Sequence, residues 1–116
     1  MTQLMAEPVT AKVTVELGNT IFFPGTYEPE FGFNFSVTDI VTLDAKNNPA
    51  AIFIFRPPIN SSGTGALTFS NFSSVILKNG ARGCQIYWLN DHIIVGQNSI
   101  LQGMLLALSA DISLAR

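Results

Sequence analysis

The sequence predicts an all-β fold, and three observations carry that prediction. Apolar runs of three to seven residues recur along the 116-residue chain, divided every eight to twelve residues by Gly, Pro, Asn or Asp. Beyond Met5 no segment repeats its apolar positions at helical spacing. Several runs, AAIFIF at 50–55, VIL at 75–77 and IYWL at 86–89, are apolar on both sides of the pleat instead of alternating. Short strands of this kind suit a sandwich, a barrel or a β-solenoid. The two-sided runs favour a solenoid whose outer face is itself covered, while the lack of a strict repeat period counts against it.

Taken in order, Met1, Leu4 and Met5 have helical spacing, and Pro8 ends a segment of at most two turns. AKVTVE at 11–16 alternates as a half-buried strand does, Ile21-Phe22-Phe23 follows Gly18-Asn19, and Pro24-Gly25 forces a turn before Tyr27. Phe31, Phe33, Phe35 and Val37 occupy every second position, and Ile40, Val41 and Leu43 carry the strand onward. Residues 44–49 form a polar corner in which Asp and Asn tolerate left-handed φ and Pro49 blocks pairing. AAIFIF then runs until Pro57-Pro58, NSSGTG at 60–65 is a loop, and Leu67, Phe69 and Phe72 mark a strand leading to Val75. The chain is organised around VILKNGARGCQIYWL at 75–89, two bulky runs joined by a glycine-bearing corner. Asn90-Asp91-His92 reads as a corner, 93–95 as a strand and Gly96 as a corner, with 101–108 and 111–114 closing the chain.

Composition narrows the function. Charged residues make up 12% of the chain, against roughly 25% in an average domain. With nine Phe and a mean hydropathy of +0.34, part of the exterior is expected to meet a partner instead of water. The net charge is −2 and the Lys and Arg residues are scattered, which argues against nucleic acid. MLLAL at 104–108 falls far short of the roughly 20 residues of a membrane span. Residues 1–9 lack the basic start and apolar centre of a signal peptide. A lone Cys84 rules out an internal disulfide, and beside Trp88 it reads as a small core residue.

Nothing in the chain has the pattern of a catalytic, metal or cofactor site. His92 is the only histidine and reads as a corner residue. Glu28 and Glu30, separated by Pro29, read as a solvated turn. Asn34, Asn60 and Asn71 each open an Asn-x-Ser sequon and are candidate N-glycosylation sites.

GTY at 25–27, VTLDAKNNPAAIFIF at 41–55, VILKNGARGCQIYWL at 75–89 and IIVGQNSILQGMLLALSADISL at 93–114 together resemble the ice-binding-protein-like family, which includes adhesin-like members. The resemblance covers residues 17–114 and makes 1–16 an N-terminal arm and 17–116 the solenoid domain. It implies a right-handed β-solenoid of triangular section in which 51–55 and 84–89 lie one above the other. In the family, chain order and spatial order of the coils differ, and a long helix covers one face. This chain looks like a shortened member, without the N-terminal coils, the long helix or the last coil, and so with little or no helix.

Two functional expectations follow. An uncovered row of Ile52, Phe53, Phe55, Tyr87 and Leu89 would drive self-association, since burying one large apolar side chain is worth roughly 1.5–3 kcal/mol. Open solenoid ends would template a second copy. The leading expectation is therefore a non-enzymatic structural subunit that assembles with itself into an oligomer or filament, outside the cell or on a cell or particle surface. The alternative is an ice-binding module, which the resemblance implies. Ice needs a flat face of regularly spaced hydroxyl and methyl groups. No Thr-x-Thr occurs, and Ile93-Ile94-Val95 carries no hydroxyl. Thr68 and Ser70, with Asn98 and Ser99 as neighbours in the next coil, are the candidate ice- or ligand-facing residues.

Overall fold

The computed structural model describes residues 11–13, 16–29, 34–56 and 66–114. Its strands are β1 (Ala11–Val13), β2 (Thr20–Phe22), β3 (Gly25–Pro29), β4 (Phe35–Val37), β5 (Ile40–Asp44), β6 (Phe53–Phe55), β7 (Ala66–Phe69), β8 (Ser74–Lys78), β9 (Ile86–Val95) and β10 (Met104–Leu114). All pairings between them are parallel. Parallel neighbours need long crossovers, and here each crossover consists of the other two sides of a coil.

Three columns of strands result. The first runs β1-β3-β6 and then the start of β9, with Phe53, Ile54 and Phe55 opposite Ile86, Tyr87 and Trp88. The second runs β4-β7 and then the end of β9, with Leu67, Thr68 and Phe69 opposite Ile93, Ile94 and Val95. β2-β5-β8 form the third, extended by a bridge from Ser74 to Ile100. β10 lies along the whole of β9, with a register irregularity between Ala107 and Asp111. The chain visits the third, first and second columns in turn, so this is a β-solenoid. Within the described residues the coils stack in chain order, unlike the arrangement that the resemblance implies.

The core explains the missing alternation. Tyr27, Phe55 and Trp88 occupy successive positions of the first column and stack with centroids 5.3 and 4.3 Å apart. Phe22, Phe35 and Phe69, from the other two columns, meet this pile edge-on. Below it, Gly103 takes a left-handed φ of +114° where a Cβ would lie 2.7 Å from Ile86 Cγ2 and 2.9 Å from Trp88 Nε1. The last coil closes on the tryptophan only because that side chain is missing.

Each coil turns from the second column to the third through a residue with positive φ: Asn19, Asp39, Phe72 and Asn98, all between 57° and 64°. Asn and Asp tolerate this conformation. Asn19 also donates from Nδ2 to Asp39 Oδ2 at 3.3 Å, tying two corners together.

Several expectations need correction. β1 pairs with β3 and Glu16 bridges Ser36, so the described residues before Leu17 add to the ladders of the stack. The strand expected across 37–43 breaks at left-handed Asp39. The turn expected at Pro24-Gly25 is confined to a bend at Pro24, and β3 runs from Gly25 through Glu28 and Pro29, where a solvated turn was expected. Asn90 and His92 lie within β9, which bends between columns without leaving extended structure. Cys84 is exposed, in the 3₁₀ turn Gly83–Gln85, because β9 begins only at Ile86. The helix expected at Met1–Met5, the loop at 60–65 and Asn60 lie outside the described residues.

Candidate functional site

The outer side of the first column is covered over β3 and β6, where Thr26, Glu28, Ile54 and Arg56 are buried, and opens toward β9 and β10, where Tyr87 is half-buried and Met104 exposed. Phe53 and Phe55 belong to the core, and Leu89 is wholly buried. Tyr87 is half-buried, and only Ile52 is substantially exposed, at 48%. The row expected to drive self-association is therefore not one continuous apolar surface: Phe53, Phe55 and Leu89 are buried within the chain, which leaves Ile52 and part of Tyr87 outside.

That outer side also holds an ion pair that the sequence did not reveal. Arg56 is fully buried and donates from Nε to Glu28 Oε2 at 3.1 Å, while exposed Lys12 lies 3.5 Å from Glu28 Oε1. Glu28 is no solvated turn residue. Arg56 follows β6 as Glu28 follows Tyr27 in β3, so register brings the two charges together across adjacent coils. The prolines that follow them, Pro29 and Pro57, gave no hint of such a pair.

The second column presents a different outer side. Ser36, Thr68 and Ile94 stand at register positions of β4, β7 and β9, between inward-facing pairs Phe35/Val37, Leu67/Phe69 and Ile93/Val95. Two residues further along their coils lie Thr38 and Ser70. The Ser70 N–H donates to the Val37 carbonyl at 2.9 Å, so the ladder continues past the strand ends. Ser36-x-Thr38 and Thr68-x-Ser70 therefore form two adjacent hydroxyl pairs, a 2 × 2 grid. Strand geometry sets its sides at roughly 4.8 Å between coils and about 6.7 Å along each coil. Ile94 extends the column with methyl groups and is 43% exposed.

Glu16 terminates this grid. Its Oε2 accepts the Gly18 N–H at 2.7 Å and the Thr38 N–H at 2.9 Å, and its Oε1 accepts the Ser36 hydroxyl at 2.9 Å. Partial burial pushes the carboxyl up, but the Thr38 and Gly18 amides, joined by the Ser36 and Thr38 hydroxyls, more than offset it and hold the group below its ordinary value. An ionised Glu16 fixes the Ser36 rotor at one edge of the face.

Thr68 and Ser70 are both half-buried, one in β7 and one just past its end. Their in-register partners are Ser36 and Thr38, which sequence reading missed: the pairs are 32 residues apart, and the hydroxyl spacing shows only once β4 and β7 are in register. Asn98 and Ser99 are not neighbours on that face. Asn98 is a corner residue with a φ of 57°, and the Ser99 hydroxyl donates to the Gly96 carbonyl of the same corner at 2.8 Å.

Of the glycosylation candidates, Asn34 and Asn71 are exposed, with their side-chain carbonyls accepting the Ala66 and Gln97 N–H groups. The third column is greasier than the second. Its outer rows are Ile21-Thr42-Ile76 and Ile40-Ser74-Ile100, in which the isoleucines are exposed. His92 is half-buried in β9, and among the described residues no group of His, Cys, Asp and Glu is arranged to hold a metal.

Fold and flanks together define a parallel β-solenoid that covers part of one side and displays registered hydroxyl and methyl groups on another. The chain belongs to the ice-binding-like family, whose model matches residues 1–116. Among solved structures it is similar to an ice-binding protein from the Antarctic ascomycete Antarctomyces psychrotrophicus, with 25% identity and a TM-score of 0.84 over 98% of this chain and 53% of that one. It is likewise similar to the DUF3494 domain of ice-binding protein 1 from Shewanella frigidimarina, with 27% identity and a TM-score of 0.79 over 97% of this chain and 46% of that one. The chain thus spans about half the length of these structures. No curated protein matches it.

Proposed function

We propose that this chain is an ice-binding module, and that it meets ice through the outer side of its second column. The observation that carries this reading is the register of Ser36 with Thr68 and of Thr68 with Ile94, carried on toward Thr38 and Ser70 by the bond from the Ser70 N–H to the Val37 carbonyl. Hydroxyls on a rigid grid anchor waters, and the methyls between them hold those waters in an ordered shell; waters spaced by the ladder then merge with a growing lattice. Rigidity matters because ordering loose side chains at contact would cost free energy, and parallel neighbours on both sides of β7 supply it. In this reading the three columns close into the right-handed triangular coil of the family, and the protein works outside the cell or at its surface, where ice grows. No helix among the described residues is long and apolar enough to cross a membrane.

The test is a Thr68→Tyr substitution, which sets a bulky ring in the middle of the grid without touching the core. Thermal hysteresis and partition into a slowly growing ice hemisphere are expected to fall sharply while the far-ultraviolet circular dichroism and melting midpoint stay put. Undiminished activity in a folded Thr68→Tyr protein would remove this face from the mechanism.

A further inference from the structure

We infer that Asn79 is a site of spontaneous covalent conversion, at which the Asn79-Gly80 corner loses ammonia and becomes an aspartyl or isoaspartyl residue facing Asp44. The inference is independent of the ice-binding reading. The chain has nine asparagines, and Asn79 is the only one followed by glycine. This matters because the reaction begins with the next residue's backbone nitrogen closing on the asparagine side chain, and any Cβ on that residue obstructs the approach.

The fold leaves the approach open. Asn79 and Gly80 are exposed, with φ of 51° and 86°, in the corner that leads out of β8. The position a Gly80 Cβ would take is open, meeting only Asn47 Cα at 3.9 Å. No hydrogen bond occupies the Gly80 N–H among the described residues. The other described asparagines are followed by residues bearing a Cβ, and Asn48 precedes Pro49, whose nitrogen has no hydrogen to lose.

The step balances with water alone. The Gly80 nitrogen attacks Asn79 Cγ and gives up its proton; the bond from Cγ to Nδ2 breaks and ammonia departs, leaving a five-membered succinimide. Water then opens either carbonyl. One opening gives aspartate, and the other gives isoaspartate, whose main chain is longer by one methylene. The net change is water in and ammonia out, with one carboxylate gained.

The position gives that change structural weight. Asn79 Nδ2 donates to Asp44 Oδ2 at 2.8 Å, and the Asn79 carbonyl accepts the Asn47 N–H at 2.8 Å. Conversion replaces the donor facing Asp44 with a second carboxylate. The isoaspartyl form also lengthens the backbone between the Lys78 carbonyl, which accepts the Ala45 N–H, and Gly80. Both products weaken the tie between the corners of two successive coils.

The test incubates the full folded chain at mildly alkaline pH in water enriched in heavy oxygen, followed by peptide mapping. The Asn79 peptide is expected to convert faster than every other asparagine peptide, to take up one heavy oxygen and to yield both isomers, and the intact protein to shift by one negative charge. An Asn79 peptide that keeps its amide while other asparagines convert would overturn the assignment. Asn79→Asp reads the consequence directly. Its melting midpoint is expected to fall below that of the parent at neutral pH, with the gap shrinking in an Asp44→Ala background; an equal gap in both backgrounds would overturn the facing of the two carboxylates.

Discussion

Glu16 shows how much one side chain does at the edge of a solenoid. It accepts two amide protons and a hydroxyl proton from its own turn and from the neighbouring coil, and these bonds hold its carboxyl below the ordinary value against the opposing effect of burial. A carboxyl lowered in the folded state adds stability above its unfolded pKa and loses it as pH falls through the folded value. Glu16→Gln is expected to cost about 1 kcal/mol at neutral pH and to flatten the acid limb of a plot of denaturation midpoint against pH. At Phe72 the sign is reversed. Its φ of 64° belongs to the conformation that Asn19, Asp39 and Asn98 supply at the same corner of other coils, and its ring is 69% exposed. Phe72→Asn is expected to raise stability by about 1 kcal/mol, since left-handed backbone strains a residue with a bulky Cβ substituent, as chemical denaturation would register.

At the scale of the element, the strands illustrate what a linear pattern conveys. β5, β7 and β8 were legible because apolar runs bounded by turn residues produce strands wherever they pack. β3 was not, since Gly25, Glu28 and Pro29 are poor strand residues; what holds them extended is pairing on both sides, with β1 and β6, and the Glu28–Arg56 ion pair. β9 was split in two because Asn90-Asp91-His92 has the composition of a corner, whereas β10 alongside keeps it extended. Gly103 belongs to this scale too, as the point where the last coil closes on Ile86 and Trp88. Gly103→Ala combines overpacking with a strained φ, so a loss of about 3 kcal/mol is expected, seen as a lower unfolding midpoint with an unchanged slope.

For the molecule as a whole, the three outer sides separate roles. One is covered over β3 and β6, one bears hydroxyl pairs, and one bears rows of isoleucine interrupted by Thr42 and Ser74. If the second column alone meets ice, Ile76→Tyr on the third is expected to leave thermal hysteresis unchanged while Ser36→Tyr abolishes most of it, both measured on folded protein. Self-association through Ile52, Phe53, Phe55, Tyr87 and Leu89 loses its driving force, because Phe53, Phe55 and Leu89 are already buried within one chain.

By itself the sequence determined that this chain is built of short strands between Gly, Pro, Asn and Asp corners, that some strands are covered on both sides, and which family it resembles. Those properties are local: pleat alternation, turn chemistry and residue order are written in neighbouring positions. Only the tertiary structure decided which residues share a flank, because parallel coils bring together positions some 20 to 35 residues apart and the uneven lengths of the coils hide that register from any fixed period. The hydroxyl grid, the Glu28–Arg56 pair and the burial of Phe53, Phe55 and Leu89 in the supposed sticky row all arise from that register.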